Sequence, residues 1–298
     1  MKNSYTKPAL SYEQQIELLK SRGMTIENEE LAKFYLKNIN YYRLRAYWLS
    51  FEEDTKEHNL KTNTSFEDVL NLYVFDRELR LLLLDAIERI EVSVRTAWTY
   101  EFSMNYGSHA HLDSSLFENH KYYLDHVSSL IKEVNRSQEL FIEHFNKNYK
   151  ELLPPIWAVS EVMSIGLLSK WISNLYESDR KVIARRYKLG KNVLASWLKH
   201  LTIVRNLSAH HCRLWGKNFK TTPTLISDKN HPLCNQFIPS SRKLYNTFVI
   251  ILYFMDLIAP NHSWRRRLKE HLLKNPQYLK EMDFPSNWQE QIIWKEKN

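Results

Sequence analysis

The segment Val204–Phe219 combines side chains that can transfer protons with side chains that can bind phosphate. Four of its residues carry this chemistry: Arg205, Asn206, His210 and His211. Histidine takes up and releases protons near neutral pH, and the planar, charged end of arginine suits a phosphate group. Together these groups have the parts for RNA cleavage, in which an activated 2′-hydroxyl attacks the adjacent phosphate and arginine stabilises the developing charge.

The element that must position these residues is a helix, predicted over Asn192–Ala209. Its apolar residues recur at intervals of three and four and predict one buried face, made of Leu194, Trp197, Leu198, Leu201 and Val204. Asn206 and His210 are four residues apart and are expected on the opposite face, with Arg205 about 100° around the helix. The pattern therefore predicts a polar, titratable edge on a helix that is otherwise buried.

The spacing alone is a weak signal. In a chain with twelve histidines, an arginine followed four to six residues later by histidine is expected about twice by chance. A second instance, Arg266 to His271, lacks an amide after the arginine and an apolar helix before it, so we interpret it as fortuitous.

Two other interpretations of the segment remain open from the residues alone. One is a metal site, with ligands drawn from His210, His211, Cys212, His231 and Cys234. The spacing typical of structural zinc sites is missing, so we expect neither a metal nor another cofactor. The other is a polar helix end without any chemistry.

Composition predicts an all-α protein with a substantial core. The 298 residues are 43% hydrophobic and include only five glycines and nine prolines, with no alternating strand pattern. The longest apolar run, Phe248–Met255, is too short to span a bilayer, and the segment MKNSYTKPALSY lacks an apolar signal core. We therefore expect a cytoplasmic protein without a membrane partner. The net charge of +8 favours a polyanionic partner.

The first 60 residues predict a small helical module. A capping box at Ser11–Gln14, a stop at Gly23 and a second helical pattern from Asn28 resemble a helix-turn-helix arrangement. In NINYYRLRAYWLSF, aromatic residues alternate with Arg43 and Arg45, a combination that can stack on bases and bind phosphates. The alternative is an aromatic core stripe with two solvated arginines.

The rest of the chain predicts a helical bundle and a helical tail. Ser65–Asp68 caps the longest helical run, which Gly107 ends; Pro154–Pro155 then starts a helical segment with a bend at Gly166. A basic cluster that can bind RNA precedes the motif helix and contains Arg185, Arg186, Lys188 and Lys191. We predict an RNA-binding module over residues 1–60, a bundle over 61–262, a helical extension over 263–298, and a polar loop over Thr55–Thr64.

Four blocks together resemble a known family. These are NYYRLRAYWLSF, LYVFDRELRLLLLDAIERIEVSVRT, PPIWAVSEVMSIGLLSKW and VRNLSAHHCRLW. In this order they are similar to the Abi-like abortive-infection proteins of bacteria, of the AbiD and AbiF type, which resemble the HEPN superfamily. That resemblance implies an α-helical bundle and, for many members, a metal-independent ribonuclease.

The resemblance also implies residue roles. By position, Arg205 corresponds to the phosphate-binding arginine, Asn206 to a polar residue that orients the site, and His210 to the general acid or base. His211 also satisfies the permitted spacing and remains a second candidate. The family's tryptophan and glutamate correspond to Trp157 and Glu161, which we expect to support the site. This chain has Gly216 where an asparagine often follows the family's RLW segment.

HEPN ribonucleases typically pair two bundles around one cleft, so the resemblance implies a two-fold homodimer with a composite site. It further implies a toxin of phage defence that is bound to or regulated by a structured non-coding RNA. Two alternatives remain: an RNA-binding scaffold that cuts nothing, and a protein-interaction module of a defence complex.

Overall fold

The computed structural model describes residues 4, 6, 8–54 and 57–296 and confirms an all-α protein. Within these ranges there is no β-strand, only three isolated β-bridges. The α-helices are α1 (Tyr12–Ser21), α2 (Glu29–Asn38), α3 (Tyr41–Trp48), α4 (Phe66–Tyr106), α5 (His120–Arg136), α6 (Leu140–Asn148), α7 (Ile156–Val162), α8 (Ile165–Ser173), α9 (Glu177–Arg186), α10 (Lys191–Ala209), α11 (Tyr245–Ile258) and α12 (Trp264–Leu273).

The chain forms two compact units, residues 1–79 and 80–298, so their division falls inside α4. The predicted boundaries at 60/61 and 262/263 stay predictions. The outer ends of the two predicted terminal domains, and the first two residues of the predicted loop Thr55–Thr64, lie outside the described residues.

The first unit begins as its local signals predict. Ser11 and Gln14 form a reciprocal capping box at the start of α1, and Gly23 follows the helix with a φ of +89°. Asn28 caps α2 by accepting a hydrogen bond from the backbone of Leu31, at 2.9 Å. The interior is anchored by Tyr47, whose hydroxyl donates to Asp76 Oδ2 over 2.8 Å.

The long helix α4 also follows its sequence pattern. Ser65 and Asp68 cap each other, since the backbone N–H of Ser65 bonds to Asp68 and that of Asp68 bonds to Ser65. The predicted apolar stripe is buried throughout and consists of Leu72, Phe75, Leu79, Leu83, Ile87, Ile90 and Val94. Gly107 ends the helix with a φ of +92°, which glycine adopts without strain.

One predicted bend is displaced. The segment after Pro154 forms two helices, α7 and α8, with the break at Met163–Ser164 rather than at Gly166, and Pro155 precedes α7 as its N-cap. The break occurs at Ser164 because its side chain caps α8, while Glu133 of α5 accepts hydrogen bonds from its backbone and hydroxyl, each at 2.9 Å. A tertiary contact therefore fixes the end of α7.

Gly166 has a packing role instead. A Cβ atom at this position would lie 3.2 Å from the side chain of Thr202 in α10. Glycine thus permits the close approach of α8 to α10. In the second unit, α10 also packs against α9. The last described turns pack into the core of the second unit. Trp294 is fully buried, and its ring contacts those of Tyr245 and Phe284 at tilted angles.

None of the helices in the described ranges is long and apolar enough to cross a membrane.

Candidate functional site

Helix α10 carries the motif and lies within one residue of its predicted bounds. It runs over Lys191–Ala209 with Gly190 as its N-cap. All five residues of the predicted apolar stripe are buried. Asn206 and His210 are exposed on the other side, while Arg205 is half-buried. The helix therefore anchors one face in the core and presents a polar end to solvent.

The C-terminal end of α10 closes in a Schellman motif. The backbone N–H of His211 bonds to Ser208 O over 3.1 Å, and that of Cys212 bonds to Leu207 O over 2.8 Å. His211 takes the left-handed position, with a φ of +58°. Glycine usually occupies this position, because a side chain there costs about 1 kcal/mol or more. His210 is the C-cap residue, so the two adjacent histidines have different backbone conformations.

Arg205 lies among charged residues of α4. Its Nη1 is 3.5 Å from Asn206 Oδ1, at the limit of a hydrogen bond. Burial raises the pKa of the nearby Glu91 carboxyl, and the positive charges of Arg95 and Arg205 oppose that increase. Arg205 thus faces a buried carboxylate on one side and the exposed amide of Asn206 on the other.

Arg95 connects this carboxylate to Glu161. Its guanidinium forms an ion pair with Glu91, donates to Met163 O over 2.6 Å, and lies 3.8 Å from Glu161 Oε2. Arg95 therefore contacts both Glu91 and Glu161, and Arg205 is close enough for its charge to act on Glu91. Glu161 is thus paired within the bundle by the same arginine that contacts Glu91, and the support of the site expected of Glu161 stays a prediction.

Trp157 lies one helical turn before Glu161 and is 53% exposed. An indole this exposed contributes little to the core, so the support expected of Trp157 stays a prediction. Sequence reasoning missed Glu91 and Arg95, which lie more than 100 residues before the motif. Their only signal is a carboxylate and an arginine four residues apart in α4, a spacing that Asp85 and Arg89 of the same helix share.

The predicted RNA-binding residues of the first unit differ in exposure. Arg43 is exposed and Arg45 is half-buried, with its Nη2 3.3 Å from His58 Nε2. Among the neighbouring aromatics, Tyr47 and Trp48 are buried, whereas Tyr42 is 67% exposed. The aromatic stripe is therefore partly core and partly surface.

The basic cluster of the second unit lies at the junction of α9 and α10. Lys191 pairs with Glu177 at 2.6 Å, and Arg186 approaches Glu101 at 3.4 Å. Arg185 and Lys188 are exposed. Lys181 and Lys191 together lower the pKa of Glu177 to about 2. Carboxylates thus neutralise part of this cluster.

Three further expectations from the sequence concern the second Arg-to-His spacing, a metal site and Gly216. The two residues of the second Arg-to-His spacing do not share one surface, because Arg266 is exposed and His271 is buried. No group of three or more His, Cys, Asp or Glu within the described residues is arranged to hold a metal ion. Gly216 has a φ of +63°. Asparagine also tolerates this left-handed region, so either residue suits the backbone at this position.

A third histidine, which lies inside α10 itself, has a structural role. His200 is buried, and its Nε2 lies 2.8 Å from the Thr247 hydroxyl of α11. Burial lowers the pKa of His200 to about 4. This histidine therefore stays neutral inside the core, while His210 and His211 are open to solvent.

Fold and site together define an all-α protein with an Arg–Asn motif and two histidines at the exposed end of a core helix. A family model described as Abi-like protein matches residues 34–216, more than half of the chain. The chain therefore belongs to the Abi-like protein family, which suggests a part in abortive-infection defence against phage. No significant match was found among curated proteins or among solved structures.

Proposed function

We propose that the protein is a metal-independent endoribonuclease of the HEPN type that acts as a toxin in abortive infection. The observation that carries this proposal is the end of α10, where exposed His210 and Asn206 stand beside half-buried Arg205. This arrangement supplies a proton-transfer group and a fixed positive charge at one surface point, as 2′-hydroxyl attack on phosphate requires.

In the proposed reaction a histidine removes the proton of a ribose 2′-hydroxyl, and that oxygen attacks the adjacent phosphorus. The bond from phosphorus to the 5′-oxygen breaks, and a second acid protonates the departing oxygen. The products are a 2′,3′-cyclic phosphate and a 5′-hydroxyl. Arg205 stabilises the negative charge on the phosphorane oxygens.

One motif supplies one base, and the reaction benefits from a base and an acid at opposite oxygens. The proposal therefore includes a two-fold homodimer, in which each copy brings one α10 end to a shared cleft. A structured RNA partner would be held by the exposed cations, including Arg43 and Arg185.

The proposal is tested by incubating cellular RNA, in EDTA, with wild-type protein and with His210→Ala. Cleavage that survives EDTA and falls by about 10² to 10⁴ in the variant supports it. If both proteins bind RNA and neither cuts, also with phage lysate added, the motif acts as an RNA grip on a scaffold.

The shared cleft has its own test. Increasing amounts of His210→Ala are mixed with wild-type protein under conditions that exchange subunits. If each cleft needs both motifs, activity falls with the square of the wild-type fraction. A linear decrease, or a monomer in sedimentation that still cleaves, contradicts the composite site.

A further inference from the structure

A groove of about 1060 Å³ leads along α10 to the motif. Its walls come from α5, α8 and α10, and we refer to it as the α10 groove. The α10 residues that line it run from Ala195 to Asn206, a length of about 16 Å at the usual helical rise. Because Asn206 is four residues before His210, the groove ends beside the proposed proton-transfer group.

Small and polar residues line the α10 groove together with apolar surface, to which Leu167 and Ile203 contribute. In α8 the small and polar residues include Gly166, Ser169 and Ser173, and in α10 they include Ser196 and Thr202. A protein helix that docks in a groove normally needs an apolar floor for its own apolar face. The apolar surface of this groove is interrupted by serines and a threonine, so it suits the mixed polar and apolar surface of a nucleotide better than a continuous apolar helix face.

Two exposed lysines give the α8 and α10 walls of the groove positive charge that can bind an anion. Lys170 and Lys199 line it and are exposed, and among the described residues neither forms an ion pair with a carboxylate. Of the two carboxylates in the lining, Glu133 is already bonded to the backbone and hydroxyl of Ser164. Asp125, exposed at the α5 end, and Glu133 both oppose anion binding at the α5 wall, so an anion is favoured along the α8 and α10 walls, where the two lysines lie.

An aromatic platform lies in α5 on the same groove. Tyr122 is 57% exposed and stacks on His126, with ring centroids 6.4 Å apart and an interplanar angle of 21°. His126 is backed by buried Trp171 at 5.9 Å, and its Nδ1 is buried without a hydrogen-bond partner. The pKa of His126 is lowered, first by burial and then by the charge of Lys170, which places that lysine near the platform.

We infer that the α10 groove holds a single-stranded segment of the RNA substrate, with Lys170 and Lys199 on its phosphates and Tyr122 stacked on a base. This inference rests on the proposed function, because it makes the groove the path by which a strand reaches the motif. Cations along a groove and an exposed aromatic ring are the two features by which proteins bind single strands. Lys199 lies two helical turns before Asn206, so one strand can contact both.

The test measures binding of a fluorescein-labelled, unstructured RNA by anisotropy, with every protein also carrying His210→Ala so that the probe stays intact. For Lys170→Gln combined with Lys199→Gln we expect about tenfold weaker binding. The slope of log Kd against log salt should fall by about 1.4, since each phosphate contact on a single strand contributes about 0.7. Lys132→Gln combined with Lys147→Gln is the matched control, because these exposed lysines do not line the groove.

The aromatic contact is tested separately. Tyr122→Ala should weaken binding about fivefold or more, whereas Tyr122→Phe keeps the ring and should bind like the parent. Because Tyr122 is mostly exposed, the alanine variant should fold, which circular dichroism checks.

Failure of the groove and failure of the nuclease give different results. If the groove variants bind the labelled RNA as the lysine control does, and the same lysine substitutions with His210 intact leave cleavage of cellular RNA unchanged, the groove inference is overturned while the nuclease stands. If the wild-type protein cuts nothing but the groove variants still lose RNA binding, the groove stands and the nuclease fails. A change in sedimentation without a change in RNA affinity would make the groove a contact between copies and overturn the inference.

Discussion

The two turns that bracket α10 have the same backbone and different side chains. Before the helix, Lys188 has a φ of +52°, and Lys188 and Leu189 donate to Arg185 O and Ala184 O in a Schellman motif. After the helix, His211 has a φ of +58° in the same motif. In the first turn the next residue, Leu189, is buried; in the second, Cys212 is exposed. An apolar anchor therefore fixes the first turn, whereas the equivalent position of the second turn is open to solvent.

The charged groups at the two ends of α10 also differ in burial and pairing. At the first end Glu177 and Glu101 neutralise Lys191 and Arg186 on the surface. At the second end the carboxylate near Arg205 is buried, and the histidines are exposed. The comparison indicates that the first end is a junction held by ion pairs and a buried side chain, and that the second end exposes its two histidines to solvent.

The largest expected effect is on the kinetics of RNA cleavage, where substitutions at the two ends of α10 should act differently. Arg205→Ala should lower kcat for RNA cleavage by about 10² to 10³, because the positive charge at the phosphate is lost. Arg185→Ala, at the basic cluster, should raise KM and leave kcat unchanged. Steady-state cleavage of a labelled RNA measures both, and a reversed pattern would remove the distinction between the two ends.

The loss of stability on substitution should be larger at the first end of α10 than at the second. Leu189→Ala removes the buried anchor of the first turn and should lower the free energy of unfolding by about 2 to 5 kcal/mol. Cys212→Ala, at the equivalent position of the second turn, should change it by less than about 0.5 kcal/mol. Urea unfolding followed by circular dichroism gives both values, and equal losses would show that the second turn is anchored as firmly as the first.

The sequence predicts several helix starts, because these depend on local groups such as Ser11 with Gln14 and Ser65 with Asp68. It also locates α10 and the motif, since the apolar stripe and the four-residue spacing lie within one element. The break between α7 and α8 was misplaced because Glu133, from another helix, binds Ser164.

The surroundings of the site depend on tertiary packing in the same way. Glu91 and Arg95 are distant in sequence and approach Arg205 and Glu161 only in the folded bundle. The α10 groove is likewise built from three helices, so no single stretch of sequence reveals it.

A third prediction contrasts the middle of α10 with its end. Burial lowers the pKa of His200 from 6.5 to about 4. Between these values the unfolded chain binds a proton that the folded chain does not, so stability falls as pH decreases, by about 1.4 kcal/mol per pH unit. His111, whose pKa burial lowers to about 3, acts in the same direction. His200→Gln should be less sensitive to pH than the wild type in urea unfolding at pH 4.5 and 6.5, and identical slopes would contradict the burial of His200.

The smallest expected effect concerns the two left-handed residues. Glycine at either position relieves backbone strain, so Lys188→Gly and His211→Gly should each raise the free energy of unfolding by up to about 1 kcal/mol. If His210 is the proton-transfer group, His211→Gly also keeps RNA cleavage. Loss of cleavage in a stably folded His211→Gly protein would assign that role to His211 instead.

The most direct test of the central claim is the chemistry of the RNA ends produced in EDTA. If the exposed end of α10 drives attack by the 2′-hydroxyl, wild-type protein leaves 2′,3′-cyclic phosphate and 5′-hydroxyl ends, and an RNA with 2′-deoxyribose at the cleavage site stays intact. Ends with 3′-hydroxyl and 5′-phosphate groups, or cleavage of the deoxy-substituted RNA, would contradict it.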